Sequence, residues 1–200
     1  MKNMAYGKIL DDNLLNKFED EQREKIKNLQ LSEEKGFFID VEKICSICDI
    51  TLKKAELFTD FDMNDAGTYD EEKKTITYNP LDANNRQRFT IAHELGHAIL
   101  GHEGKSFRTV KTSKYNDIVT RMKETSANQF AANLLMPEKL VKDLLKEEAT
   151  NLKLDKNNLG AWDVDILTKN VSNLLKVSQE ALNYTIKNLN LIKVSNYEHL

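Results

Sequence analysis

Two histidines four residues apart, with a glutamate directly after the first, stand in the stretch His93-Glu94-Leu95-Gly96-His97. On a helix, positions i and i+4 lie one above the other on one face, so both imidazoles can reach a single divalent metal. A catalytic zinc takes three protein ligands and keeps one position for water, whose pKa falls to about 7, and an adjacent carboxylate then serves as general base. His93 and His97 are therefore candidate zinc ligands and Glu94 the candidate catalytic base. The competing reading is a chance pattern on a charged surface helix. Phe89, Ile91, Ala92, Leu95, Ala98 and Ile99 surround the motif, so the helix is expected to be largely buried, where two unpaired histidines and a carboxylate would be costly.

A third ligand must come from elsewhere. The metzincin arrangement needs Gly at position 100 and His at 103, where Leu100 and Glu103 stand, and His102 is one position out of register. A gluzincin arrangement takes a glutamate from a later helix, and Glu124 opens such a segment, with Glu103 in reserve. Ala127, Asn128 and Ala131 follow Glu124 at spacings of three, four and seven, and these small side chains would let two helices approach closely enough for ligation. The Asn128 carbonyl oxygen could accept from the outer N–H of a ligating histidine, or Asn128 could be an ordinary helix amide bonded to backbone or water. Tyr78 and His102 are candidate substrate or transition-state contacts.

Helical periodicity covers residues 11–30 through Leu14, Leu15, Phe18, Gln22, Ile26 and Leu29, and a second helix is expected after an Asp40 cap through Val41, Ile44 and Ile47. Residues 67–70 and 75–78 flank a polar turn and read as a hairpin that Asn79-Pro80 ends. The motif helix spans about residues 84–100 and stops near Gly101; a further helix spans residues 118–136, and Pro137 can begin the next.

Arg88-Phe-Thr-Ile-Ala-His-Glu-Leu-Gly-His97, together with E-x-x-A-N-x-F-A-A-x-L-L-M-P over residues 124–137 and the strand before them, resembles the ImmA/IrrE zinc metallopeptidases. The resemblance covers about residues 65–140. It implies that His93, His97 and Glu124 hold zinc and that Glu94 activates water. It also implies a small gluzincin-like α+β core, in which a short antiparallel sheet leads into the HExxH helix and the helix carrying Glu124. The substrate it implies is a helix-turn-helix transcriptional repressor, cut to relieve repression of a mobile element, prophage or stress regulon. Sheets of this kind offer an edge strand to an extended peptide, and Thr75 to Asn79 is expected to be the strand nearest the site.

The 29 Lys plus Arg against 32 Asp plus Glu leave a formal net charge of −3, which argues against a strong general affinity for nucleic acid. No apolar run approaches the roughly 20 residues of a membrane span, and the first ten residues lack a secretion signal, so a cytoplasmic protein is expected. Cys45 and Cys48, with no second pair to complete a four-sulfur site, read as small apolar residues on one helix face. The Gly104-Lys105-Ser106 stretch lacks the first glycine of a phosphate-binding loop, Ile99 standing in its place. Lys105, Arg108, Lys111 and Lys114 read as a solvated loop or a basic lid.

Residues 1–148 are expected to form the metallopeptidase domain with its N-terminal helices, and residues 149–200 a helical, helix-turn-helix-like appendage. Its second helix offers Gln179, Asn183, Lys187 and Asn188 but a single cation, so packing or partner docking is favoured over direct DNA binding. A different class of function remains open at this level: a zinc-stabilised regulator or toxin–antitoxin component that binds a partner or DNA and cuts nothing.

Overall fold

A computed structural model describes residues 4–31, 36–56, 61–102, 118–155 and 158–192. Glu103 and the basic residues Lys105, Arg108, Lys111 and Lys114 lie outside the described residues. The N-terminal helical pattern is split into α1 (Asp12–Leu15) and α2 (Asp20–Lys27) rather than continuous. Asp11 caps α1 by accepting from the Asn13 amide, the backbone turns extended at Glu19, and Asp20 and Glu21 open a new first turn, where carboxylates meet the positive end of the helix. The break lets Phe18 pack on Phe130, with ring centroids 5.9 Å apart. Two short strands, β1 (Met4–Ala5) and β2 (Gln30–Leu31), pair antiparallel around this unit.

Asp40 caps α3 (Val41–Ile47) by accepting from the Lys43 amide, and the helix buries Val41, Ile44 and Cys45. Cys48 is buried too; both thiols are free, and burial pushes that of Cys45 well above its ordinary value and that of Cys48 up to about 12. They are packing residues, not reactive thiolates.

Strands β3 (Thr51–Lys54), β4 (Gly67–Asp70) and β5 (Thr75–Tyr78) form one sheet in the order β3-β5-β4. The expected β4–β5 hairpin is present, with Gly67 opposite Tyr78 and Asp70 opposite Thr75. The sheet is nevertheless mixed, because β3 joins β5 in parallel, Thr51 opposite Thr75. Strand β3 is exposed except for half-buried Leu52, so it has no apolar alternation by which to be recognised. Consequently β5, expected to be nearest the site, is the central strand, and β4 is an edge.

The motif helix is α4 (Asn84–Ile99), in which every residue from Thr90 to His97 is buried. After it come α5 (Ile118–Leu135), α6 (Glu138–Asn151), α7 (Ala161–Leu175) and α8 (Gln179–Asn188). Helix α4 packs on β4, β5 and α5, so the sheet and α5 together fix its rotation. One hydrophobic cluster joins Ile76, Ile91, Leu95, Leu134 and Leu140 with Leu167, Leu175 and Leu182, and residues 148 and 149 both lie inside α6.

Candidate metal centre

The side chains of His93, His97 and Glu124 converge. Their nearest ligand atoms all lie within 4.8 Å of one another, a grouping able to hold a metal ion. His93 Nε2 is 3.1 Å from His97 Nε2 and 3.3 Å from Glu124 Oε2, and His97 Nε2 is 3.4 Å from Glu124 Oε1. Ligands about 2.0–2.1 Å from a tetrahedral zinc stand about 3.3 Å apart, so these separations match the edges of such a site. The two imidazoles are buried, while Glu124 is 34% exposed and opens the site to solvent on the α5 side. Glu94 is wholly buried beside them on α4.

The protons can be placed from the hydrogen-bond network. Asn128 Oδ1, which can only accept, lies 3.1 Å from His93 Nδ1, so His93 carries its proton there and turns the Nε2 lone pair inward. On the opposite side His97 Nδ1 lies 3.1 Å from His102 Nδ1. Burial, then the neighbouring His93, pushes the His97 pKa down to about 4, so the ring is neutral at pH 7 and its contact with Glu124 is not an ion pair. Burial and nearby Lys123 lower the His102 pKa as well. Imidazole nitrogens and carboxylate oxygens thus converge on one point, and with the His93 proton on Nδ1 the His93 Nε2 lone pair is directed there. A divalent cation satisfies that donor set, and neutral imidazole is the form that ligates.

The close approach of α4 and α5 depends on small residues. A Cβ added to Gly96 would stand 3.1 Å from Phe130 Cδ1 and 3.2 Å from the Ala127 carbonyl oxygen. Gly96 is the spacer inside the motif that lets Glu124 reach the histidines, and a glycine in the middle of a helical pattern was the available signal. Gly67 of β4 does the same against the other side of α4, since a Cβ there would meet Thr90 Cγ2 at 2.4 Å and Glu94 Cγ at 3.6 Å. The strand adjoining Glu94 is therefore β4.

Of the remaining candidates, Asn128 sits behind His93 and His102 behind His97. Tyr78 instead lines a separate groove of about 720 Å³ with Phe38, Glu42, Arg88 and Lys176. Burial and the Glu42 charge raise its phenol pKa. Arg88, also in the motif, faces that groove: Nη2 donates to the Ile39 carbonyl at 2.8 Å and Nε to the Lys176 carbonyl at 3.3 Å, with the guanidinium 4.9 Å from the Phe38 ring centroid. It ties the start of α4 to the α7–α8 turn. In α8, Gln179 donates to Asp165 and Thr168 of α7, so it is engaged within the helix pair, while Asn183, Lys187 and Asn188 remain exposed.

The chain is 35% identical over 80 residues to the radiation response metalloprotease IrrE of Deinococcus radiodurans, a match covering 40% of this chain and 24% of that protein. It is 39% identical over 79 residues to the protein of the same name from Deinococcus deserti, covering 40% and 28%. The matched region thus spans about a quarter of the length of these curated relatives. A Mycobacterium tuberculosis transcriptional regulator of known structure covers 74% of this chain and 39% of its own at 16% identity, with a TM-score of 0.43. The profile of the peptidase family described as the IrrE N-terminal-like domain matches residues 57–187, and the chain belongs to that ImmA/IrrE family of metallopeptidases.

Proposed function

We propose that this chain is a cytoplasmic zinc-dependent endopeptidase whose substrate is a protein, a helix-turn-helix transcriptional repressor. The observation that carries the catalytic part is the convergence of His93, His97 and Glu124 with Glu94 buried next to them. The repressor as substrate is supported by the family resemblance of the two motifs. Bound by those three side chains, zinc supplies Lewis acidity, polarising a peptide carbonyl and acidifying water. Glu94 accepts the proton of the attacking water and returns it to the leaving amine. Asn128 keeps the His93 proton on Nδ1, which fixes the ring that binds. Edge strand β4, unpaired on its outer side among the described residues and set against Glu94 through Gly67, offers main-chain groups to an extended peptide. Among the described residues no helix is long and apolar enough to cross a membrane.

The test is elemental analysis of zinc per chain, combined with incubation against the helix-turn-helix proteins encoded nearest to this gene. Wild type is expected to hold one zinc and cut such a protein, Glu124→Ala to lose the zinc, and Glu94→Gln to keep zinc but lose cleavage. A wild type without zinc after reconstitution, or full cleavage by Glu94→Gln, would overturn the mechanism.

A further inference from the structure

The last turn of α4 ends in a reversal that returns the chain to the site. Gly101, at φ +63°, lies in the left-handed region that glycine enters freely. The Gly101 amide donates to the Ala98 carbonyl at 3.3 Å and the His102 amide to the His97 carbonyl at 3.0 Å, the paired bonds of a Schellman motif. This backbone clamp joins His102 directly to the residue whose ring it touches. The two rings meet edge to face, with centroids 4.9 Å apart and planes at 73°, and the nitrogens in contact are both Nδ1.

We propose that His102 is a positioning residue: it accepts the Nδ1–H of His97 and so holds His97 Nε2 towards the point shared with His93 and Glu124. The proposal rests on the zinc site described above and adds to it a second support. If His97 is to ligate through Nε2, its single proton must sit on Nδ1, and the group facing that nitrogen must then be an acceptor. His102 meets this requirement as the Nε2–H tautomer, whose Nδ1 lone pair faces His97. Asn128 does the same for His93 from a different helix. Both ligating imidazoles are thereby backed by neutral acceptors rather than carboxylates, and Glu124 is the one anion in the converging set. An outer partner of this kind fixes tautomer and ring orientation, and its loss typically costs 10–100-fold in metal affinity. This differs from a substrate contact, which would leave metal retention unchanged.

The test measures zinc transfer from the reconstituted protein to the chromogenic chelator 4-(2-pyridylazo)resorcinol in wild type, His102→Ala, His102→Asn and Glu124→Ala. Asparagine places an acceptor oxygen near the position of histidine Nδ1. His102→Ala is expected to hold zinc about 10–100-fold more weakly, as expected for loss of an outer partner, and His102→Asn to recover most of that loss. Thermal unfolding in excess chelator should be the same for wild type and both His102 variants, which separates positioning from a structural role. Normal zinc retention in His102→Ala, while Glu124→Ala loses zinc, would overturn this inference and leave the site intact. Weak retention in His102→Asn equal to that in His102→Ala would also overturn it. A wild type that binds no zinc would overturn the site itself and the inference with it.

Discussion

The α4–α5 contact and the α7–α8 pair solve different packing problems. Where α4 meets α5, Gly96 faces Ala127, and the close approach brings histidines and a glutamate within bonding distance. In α7 and α8 the buried positions include Leu167, Val171, Leu175, Leu182 and Ile186, large aliphatic side chains that fill the space around the helix pair. Helices whose titratable side chains must converge are brought together by removing side-chain volume, whereas helices that anchor the fold are held by adding it. The first contact buries the titratable groups His93, Glu94 and His97, and its geometry is therefore exacting; the second buries aliphatic area with a few hydroxyls and tolerates adjustment.

The comparison is tested most strongly by Leu182→Ala. Leu182 is 0% exposed, and its truncation should lower stability by about 2–5 kcal/mol through lost burial and a residual cavity. Denaturant titration would read that loss, while zinc per folded chain should be unchanged; loss of zinc would show that the two regions are not separate in function. Gly96→Val should cost about 1–3 kcal/mol by overpacking, yet abolish zinc binding, because the added methyl groups have only Phe130 and the Ala127 backbone to move. A Gly96→Val protein with full zinc content would break the argument from close approach.

Arg88→Lys is the gentler change at the link between the regions. Lysine has one nitrogen where arginine spans the Ile39 and Lys176 carbonyls, so a loss of about 1 kcal/mol is expected from one hydrogen bond. The melting temperature should fall slightly and zinc content stay constant. A last effect is one of shape against pH rather than of size at one pH. The folded-state pKa of His97 is depressed from 6.5 to about 4, so the unfolded chain binds more protons in that window. Its contribution is fully present above pH 6.5 and is lost as pH falls towards 4. Stability of the metal-free protein should decline over that range, more steeply than in His97→Ala. Leu182→Ala should shift the whole curve without flattening it.

The motif residues and the helices carrying them were legible in the sequence, because a helix of buried apolar residues states its periodicity and the two histidines inherit its geometry. The Asp40 cap, the hairpin and the stop at Gly101 were legible for similarly local reasons. Less accessible were the break between α1 and α2 and the parallel pairing of β3. The first depends on where Phe18 finds its partner ring, and the second on a strand too polar and short to show alternation.

The chain by itself determined which residues could ligate, which could act as base, and which helices would carry them, since these follow from side-chain chemistry and spacing within about one helical turn. Tertiary structure alone decided that Tyr78 faces a different groove, that Gly67 sets β4 against Glu94, and that the His102 ring meets that of His97. Each of these depends on the angle at which one element crosses or leaves another, and that angle is set by packing among residues distant in sequence.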